Sequence, residues 1–491
     1  MHTPIVSNRV LCADAEQLYT EVCTDRYVRV GVDIEYGIDE QPPPLKAVLL
    51  GLQHLAVMIV PATAVAYVVG GAVGLSASDL TYTVQMVLLF SGIATVVQSY
   101  GAGVVGARLP VVLGSSFTFV GAAIAIGNNY GLATVFGSIL VTGVLVEWLI
   151  GWQFKRIEAY FPPLVTGLVV LIIGLYLVPI GFEYAAGGAP VDGPQFGTLY
   201  NLGLAALVLV VAVVLNLATD GLARILSTLA AIVVGYVAAI ALTLGSGLEL
   251  VSFDAVGQAA WLALPQPGRF GVPEFRPVPI ATFAFLFLVS AMETVGDMSG
   301  VTSAEGRNPT NEEFRGGLFT DGLFSSVGAA FGAYPITSFS QNVGIVNFTG
   351  VLSRYVVTVT GILLAVLGLS PKVGAVVTTI PSAVFGGAVL LMAGMVAASG
   401  ARLITIHCEM NRRNMTVMGV SLGLGLGVAT APSAAFAQLP QWASTFFSQA
   451  VIMTGLSALL LNTFAPGTQS PLFGGEPETE PPLEEPVGSD D

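Results

Sequence analysis

Apolar runs of about 18 or more residues recur from one end of this chain to the other. The run that begins at Ala47, AVLLGLQHLAVMIVPATAVAYVVG, is long enough to cross about 30 Å of hydrocarbon as a helix. One cleavable leader cannot account for so many such runs. With 54% hydrophobic and only 10% charged residues over 491 positions, the chain also departs from the balance of a water-soluble domain. The fold class that follows is an all-α polytopic membrane protein.

Read against the turn signals between them, the runs give about fourteen crossings. They fall near 47–69, 80–102, 108–127, 131–152, 160–182, 198–218, 224–245, 278–302, 315–333, 335–350, 354–369, 381–401, 414–432 and 444–463. Basic residues test the division, because they gather in cytoplasmic loops. Arg108, Lys155, Arg156, Arg224, Arg307, Arg315, Arg354, Arg402, Arg412 and Arg413 fall in one set of connections; Arg269, Arg276 and Lys372 fall in the other. Both termini are therefore expected in the cytoplasm, with the protein in the cell membrane.

The third and tenth spans are short and alike. One reads LPVVLGSSFTFVG and the other YPITSFSQNVGIVN, with Pro110 six residues before Ser116 and Pro335 six before Gln341. Each has a proline, a short strand-like run, a serine-rich break and a helix-like run. If spans 1–7 and 8–14 are repeats, an odd number of crossings inverts the second copy. Interrupted segments at matching places in inverted repeats are the mark of a secondary transporter, whose half-helix N-termini surround a site near the bilayer midplane.

The ends say less. The terminal GGEPETEPPLEEPVGSDD carries much of the net charge of −14 and is too acidic and proline-rich to build a core, so a solvated tail is expected. Cys12, Cys23 and Cys408 have no spacing that suggests a metal or redox motif.

Ionisable groups inside a span cost on the order of 2.5–3.5 kcal/mol on insertion scales, so each is a functional candidate. Glu293 and Asp297, in FLFLVSAMETVGDMSG, stand four residues apart and share one helix face. Two carboxylates that close in a dry setting do not readily both ionise, so one is expected to hold a proton; backbone amides or a water vestibule could also satisfy them. Asp321, in LFTDGLFSSVG, serves either as interhelical glue or as a proton relay. In the first span, Gln53 is the better contact candidate, and His54 reads as a partner between helices. Glu147, beside Trp148 and Trp152, is expected to snorkel to the interface. The run around Ser338, Ser340, Gln341 and Asn342 gains a purpose in this setting. Gln341 carries a donor and an acceptor, enough for two-point pairing with a planar amide edge. Asn342 could tie the broken backbone to adjacent spans, and Phe119 could stack on a flat heterocycle or simply pack in the core.

At these residues the chain resembles the nucleobase-ascorbate transporter family, the type 2 nucleobase-cation symporters. The family signature, Gln or Glu, Asn, any residue, Gly, four residues and Thr, is matched by QNVGIVNFT from Gln341 to Thr349. GLQHL at 51–55, LGSSFTF at 113–119, ETVGD at 293–297, TDGL at 320–323 and ASGARL at 398–403 follow in the family's order. The likeness runs from about residue 34 to about residue 463.

That resemblance implies fourteen spans in two inverted seven-span repeats, with short strands in spans 3 and 10. A cytoplasmic segment (1–45) would precede a core domain (46–152 and 278–370), a gate domain (153–277 and 371–463) and a disordered acidic tail (464–491). Substrate would lie between spans 3 and 10 on Glu293 and Gln341, with Phe119 against the ring and backbone amides near Ser340. Asp297 and Asp321 would serve transport, steadied by Gln53, His54 and Asn342. Uracil members usually carry Glu at the place of Gln341 and His at that of Asp297, so the xanthine and uric acid branch is implied; Pro61, where uracil members have alanine, reshapes one wall. The expectation is a nucleobase importer, most of all of xanthine or uric acid, moving core against gate and often a homodimer. It would use protons rather than sodium as coupling ion, with no other cofactor and no nucleic-acid partner. A uracil symporter, or an anion carrier of the related sulfate and bicarbonate superfold, is the alternative. Enzyme activity is not expected, because the spans hold no nucleophile with a base and no metal cluster.

Overall fold

Where the long apolar runs lie, the chain is helical. The computed structural model describes residues 34–157, 162–188 and 193–466. Cys12, Cys23, most of the 1–45 segment and nearly all of the 464–491 tail lie outside the described residues. The first half supplies α1 (Pro44–Ala72), α2 (Ala77–Tyr100), the strand β1 (Leu113–Ser115) with α3 (Val120–Tyr130), α4 (Leu132–Ile157), α5 (Pro163–Ala185), α6 (Leu199–Ala218) and α7 (Ser227–Ser246). The second supplies α8 (Pro277–Thr302), α9 (Asn311–Ala330), the strand β2 (Ile336–Ser338) with α10 (Ser340–Thr349), α11 (Arg354–Gly368), α12 (Pro371–Thr378), α13 (Ser382–His407), α14 (Arg412–Thr430), α15 (Gln441–Phe447) and α16 (Ala450–Phe464).

Among the described residues, eight helices are long and apolar enough to cross a membrane, or ten if the bent pairs α11/α12 (83°) and α15/α16 (78°) each count as one. That is fewer than the fourteen runs delimit, for physical reasons. The third and tenth segments are broken, α9 opens on NEEFRGG, and α14 opens on RRN and is rich in glycine. The polar start of α9 is itself a helix signal: the Thr310 hydroxyl accepts from Glu313 N (3.2 Å), and the Glu313 carboxylate accepts from Thr310 N (2.6 Å).

The two breaks meet. β1 and β2 pair antiparallel, Leu113 with Ser338, Gly114 with Thr337 and Ser115 with Ile336. Ser116 N donates to Pro335 O and Phe339 N to Val112 O, both at 3.1 Å. Side chains complete the ladder: Thr95 Oγ1 accepts from Leu113 N (2.9 Å), and Ser325 Oγ accepts from Ile336 N (2.9 Å) and donates to Ile336 O (3.0 Å). Non-helical backbone survives at membrane depth only when it is paired and buried in protein, and every residue of both strands is buried. Gly114 makes the pairing possible, since a Cβ there would overlap the Phe339 ring.

Close crossings at glycine order the helices around this pair. A Cβ on Gly361 of α11 would lie 2.8 Å from the Gly92 carbonyl oxygen of α2, and one on Gly322 of α9 would lie 2.5 Å from that of Gly143 in α4. Small residues let backbones approach this closely in a bilayer. The first crossing joins spans 2 and 11 and the second joins spans 9 and 4; exchanging the two halves of the chain maps one onto the other. The α5 and α13 helices, corresponding members of the two halves, cross at Gly174 and Gly400 in the same way. α6 and α7 pack on this second group, while α8 and α10 stay with the first. Charge marks the two ends: Arg354 bonds Asp39 (2.8 Å) and Tyr100 O (3.4 Å) at one, and Arg269 pairs with Asp79 (2.9 Å) at the other.

Candidate functional site

Each break starts a short helix near the middle of the fold. Ser116 accepts from Thr118 N (3.2 Å) and opens the 3-10 turn Phe117–Phe119 that leads into α3; α10 opens at Ser340. First-turn amides of such half-helices have no intrahelical acceptor, so both ends favour an anion or a carbonyl oxygen. Counted from the first strand residue of each segment, the place of Gln341 is matched by Thr118, two residues beyond the Ser116 that the prolines alone suggest.

α8 runs beside both breaks and brings the acidic pair. Thr118 Oγ1 donates to Glu293 Oε2 at 3.3 Å. One turn on, Ser338 Oγ donates to Asp297 Oδ2 at 2.6 Å, and the Ser340 hydroxyl also reaches Asp297. Asp321 arrives from α9 and accepts from Thr294 Oγ1 at 2.6 Å, while Thr294 Oγ1 and Ser338 Oγ lie 3.2 Å apart. The two strand-helix breaks thus hold one carboxylate each, and a threonine joins the third.

The first span acts from the other side of β1. His54 is buried, with Nδ1 2.9 Å from Asn342 Oδ1, and Asn342 Nδ2 donates to Pro110 O at 2.6 Å. This asparagine therefore ties both breaks to α1. Gln53 and Gln341 are half-buried and, among the described residues, make no side-chain hydrogen bond, which leaves their amides available. Pro61 is buried in α1 two helical turns beyond Gln53, about 12 Å along the axis. Phe119 is wholly buried, with ring centroids 4.7 Å from Phe287 and 6.1 Å from Phe283, so α8 backs it with aromatic surface; Phe117 stays half-buried.

One sequence expectation is overturned here. Glu147 does not snorkel to the interface: it is 0% exposed, turned toward α9, and neither of its carboxylate oxygens has a hydrogen-bond partner. Trp152 does reach the surface, but Trp148 stacks on Phe319 and donates to its carbonyl (3.0 Å), which holds that helix face inward. Three contributors escaped the sequence reading, Thr118, Thr294 and Thr166. Hydroxyls are common in membrane helices, and nothing local distinguishes these three from others. A cavity of ≈ 10 Å³ adjoins Glu293, lined by Thr166, Val169, Val170 and Ile173 of α5 and by Val289 and Met292 of α8.

A polytopic helical bundle in which two inverted strand-helix breaks pair beside buried carboxylates has the architecture of a membrane transporter of the broken-helix class. Known proteins give the same class and narrow it. The family model Xan_ur_permease, described as a permease family, matches residues 45–434. The chain is 39% identical to the xanthine permease of Bacillus subtilis over 85% of its own length and 93% of that protein. It is 37% identical to uric acid permease PucJ of Bacillus subtilis (85% and 92%) and 33% identical to xanthine permease XanQ of Escherichia coli (89% and 95%). This chain belongs to that permease family, the nucleobase-ascorbate transporters. Solved structures share the fold at low identity. The transmembrane domain of a cyanobacterium bicarbonate transporter, BicA, superposes with a TM-score of 0.53 at 15% identity, covering 87% of this chain and 99% of that one. Murine Solute Carrier 26 family member A9, an anion transporter, gives 0.58 at 13%, covering 87% and 69%.

Proposed function

We propose that this chain imports a nucleobase across the cell membrane, with oxidised purines such as xanthine or uric acid as its substrates and protons as its coupling ion. The observation that carries the reading is the half-buried Glu293 at the junction of the two half-helices, its Oε2 held by Thr118 and its other oxygen left to a ligand N–H. Gln341 opens the facing half-helix with both a donor and an acceptor uncommitted. Purine oxo-compounds place N–H and C=O groups side by side, which is the pattern these two side chains read together. First-turn amides near Ser340 supply further donors, and Phe119 with Phe283 and Phe287 an aromatic wall. Relatives named for xanthine and uric acid support the same substrate class.

The ≈ 10 Å³ beside Glu293 holds about one water, so a purine ring fits only when α5 and its partners withdraw from α8. The packing suits that motion: α1–α4 with α8–α11 would be the core, and α5–α7 with α13–α16 the gate. Ser340, Gly296 and Gly344 are exposed along α8 and α10, which supports an approach from the side of Arg354; by the positive-inside rule that side, with both termini, would be cytoplasmic. Homodimer formation through the gate belongs to the same proposal. An inorganic-anion carrier, suggested by the bicarbonate and anion transporters of similar fold, is disfavoured because such an anion has no ring N–H groups for Glu293 to accept, and because the relatives at 33–39% identity are named for xanthine and uric acid.

Uptake of labelled xanthine, urate and uracil by cells expressing the full chain, with and without an uncoupler, tests the reading. Xanthine or urate uptake that collapses with the uncoupler is expected. Glu293→Ala should lower it about 10- to 100-fold, in line with the about 1.5–3 kcal/mol typical of hydrogen bonds to a charged group. Wild-type uptake rates in that variant would refute the anchor.

A further inference from the structure

Asp297, Ser338, Thr294 and Asp321 form an unbroken file of oxygens with spacings of 2.6, 3.2 and 2.6 Å. Its protons do not fill it. Ser338 and Thr294 own one hydroxyl proton each, but the file has three links. With Ser338 donating to Asp297 and Thr294 donating to Asp321, the middle contact has no proton. A third proton on either carboxyl completes all three links, pointing the file one way when it sits on Asp297 and the other way when it sits on Asp321. Converting one arrangement into the other needs only that each O–H shift to the next oxygen: one O–H bond breaks and one forms at each step, and no other reactant is consumed.

Beyond Asp321 the file meets Glu147. Asp321 uses Oδ2 for Thr294, while its Oδ1 is buried and without a partner, as are both oxygens of Glu147. The crossing of α4 and α9 brings the two together: a Cβ on Gly322, next to Asp321, would lie 2.8 Å from Glu147 Cβ. An ionised carboxylate only accepts hydrogen bonds, so two of them facing each other in a dry interior leave all three oxygens unsatisfied. A protonated Glu147 would carry an O–H to offer to Asp321 Oδ1 and so resolve the pair. Among the elements packed on α4, the acidic groups that face this point are Asp321 of α9 and, farther along the file, Asp297 and Glu293 of α8; α3 offers only Tyr130 at its far end.

We propose that Glu147 is the terminal proton store of transport: when Glu147 is ionised, the proton that enters at Asp297 forms an O–H bond at Asp321 Oδ2 while an O–H bond at Asp321 Oδ1 breaks to protonate Glu147, and a neutral Glu147 is the filled store. This rests on the proton-coupled reading above and adds to it a residue outside the substrate contacts. Buried carboxyl chains of this kind are how membrane helices carry protons.

The test compares wild type and Glu147→Gln, as full chains in inverted or right-side-out vesicles, for labelled xanthine accumulation across a range of external pH. Counterflow exchange is measured in parallel. Wild-type accumulation that ignores external pH and uncoupler would defeat the proton-coupled reading itself, before any variant is considered. With wild type proton-driven, the side-chain amide of E147Q keeps an N–H donor for Asp321 but cannot release a proton. Accumulation should then fall at least about tenfold more than exchange, with a flattened pH profile. Wild-type pH dependence in E147Q would overturn the proposal and leave the reading intact. If E147Q does not reach the membrane, E147D and E147N make the comparison at matched length: pH-driven accumulation in E147D but not in E147N supports the store, and equal behaviour of the two refutes it.

Discussion

The two broken segments share a backbone and differ in what they present. In the first, the turn after β1 offers a hydroxyl to Glu293 and turns Phe119 into a phenylalanine cluster. In the second, the residues after β2 are polar: Ser338 and Ser340 on Asp297, Asn342 on His54 and Pro110, and Gln341 uncommitted. Inversion fixes where the half-helix ends lie. In the proposed function, divergence of side chains then makes one end the wall and support of the site, and the other its reader and proton port.

The sharpest way to break this comparison is at the strand pair that both ends depend on. Gly114→Val puts a branched side chain into the Phe339 ring and is expected to abolish uptake, overpacking of this kind costing about 1–3 kcal/mol or more. The matching middle residue of β2, Thr337, is buried with an unpartnered hydroxyl, so Thr337→Val should stay close to wild type in both uptake and thermal stability in detergent. Equal damage from the two would mean that the strands are not the asymmetric support described. Next in size is Gln341→Ala, which removes the reader: xanthine uptake should fall about 10- to 100-fold, the range for a hydrogen bond to a polar ligand group left unpaired. The loss should show mainly in KM, and an unchanged KM would place the reader elsewhere. The smallest effect belongs to the first segment. Thr118→Val takes one neutral hydroxyl from Glu293, worth about 0.5–1.5 kcal/mol. Uptake should drop about two- to tenfold; a loss as large as that of Gln341→Ala would make Thr118 a substrate contact in its own right.

Much of this was legible beforehand. Run length and scarcity of charge give a polytopic helical protein, and Pro110 and Pro335 with their serine-rich breaks mark the discontinuous segments. Glu293, Asp297 and Asp321 stand out because any carboxylate in a span does. The proline spacing placed Ser116 against Gln341, however, whereas the strands put Thr118 there, since pairing starts three residues after one proline and one after the other. Span counting likewise overran what length and apolarity support, because a segment held by neighbours need not be apolar enough to cross alone.

Glu147 shows the limit most clearly. Its flanking tryptophans imply an interfacial residue, and no pattern within α4 says otherwise. Only the glycine crossing with α9, which brings Gly143 against Gly322, turns that face inward and seals the carboxylate beside Asp321. The sequence alone determined that the chain lives in a membrane, where its halves are broken and that Glu293, Asp297 and Asp321 stand inside spans, because those follow from the cost of polar groups in hydrocarbon and need no partner. Which oxygens touch was decided by strand pairing and helix packing between residues from 27 to 175 positions apart, and local composition carries no record of that.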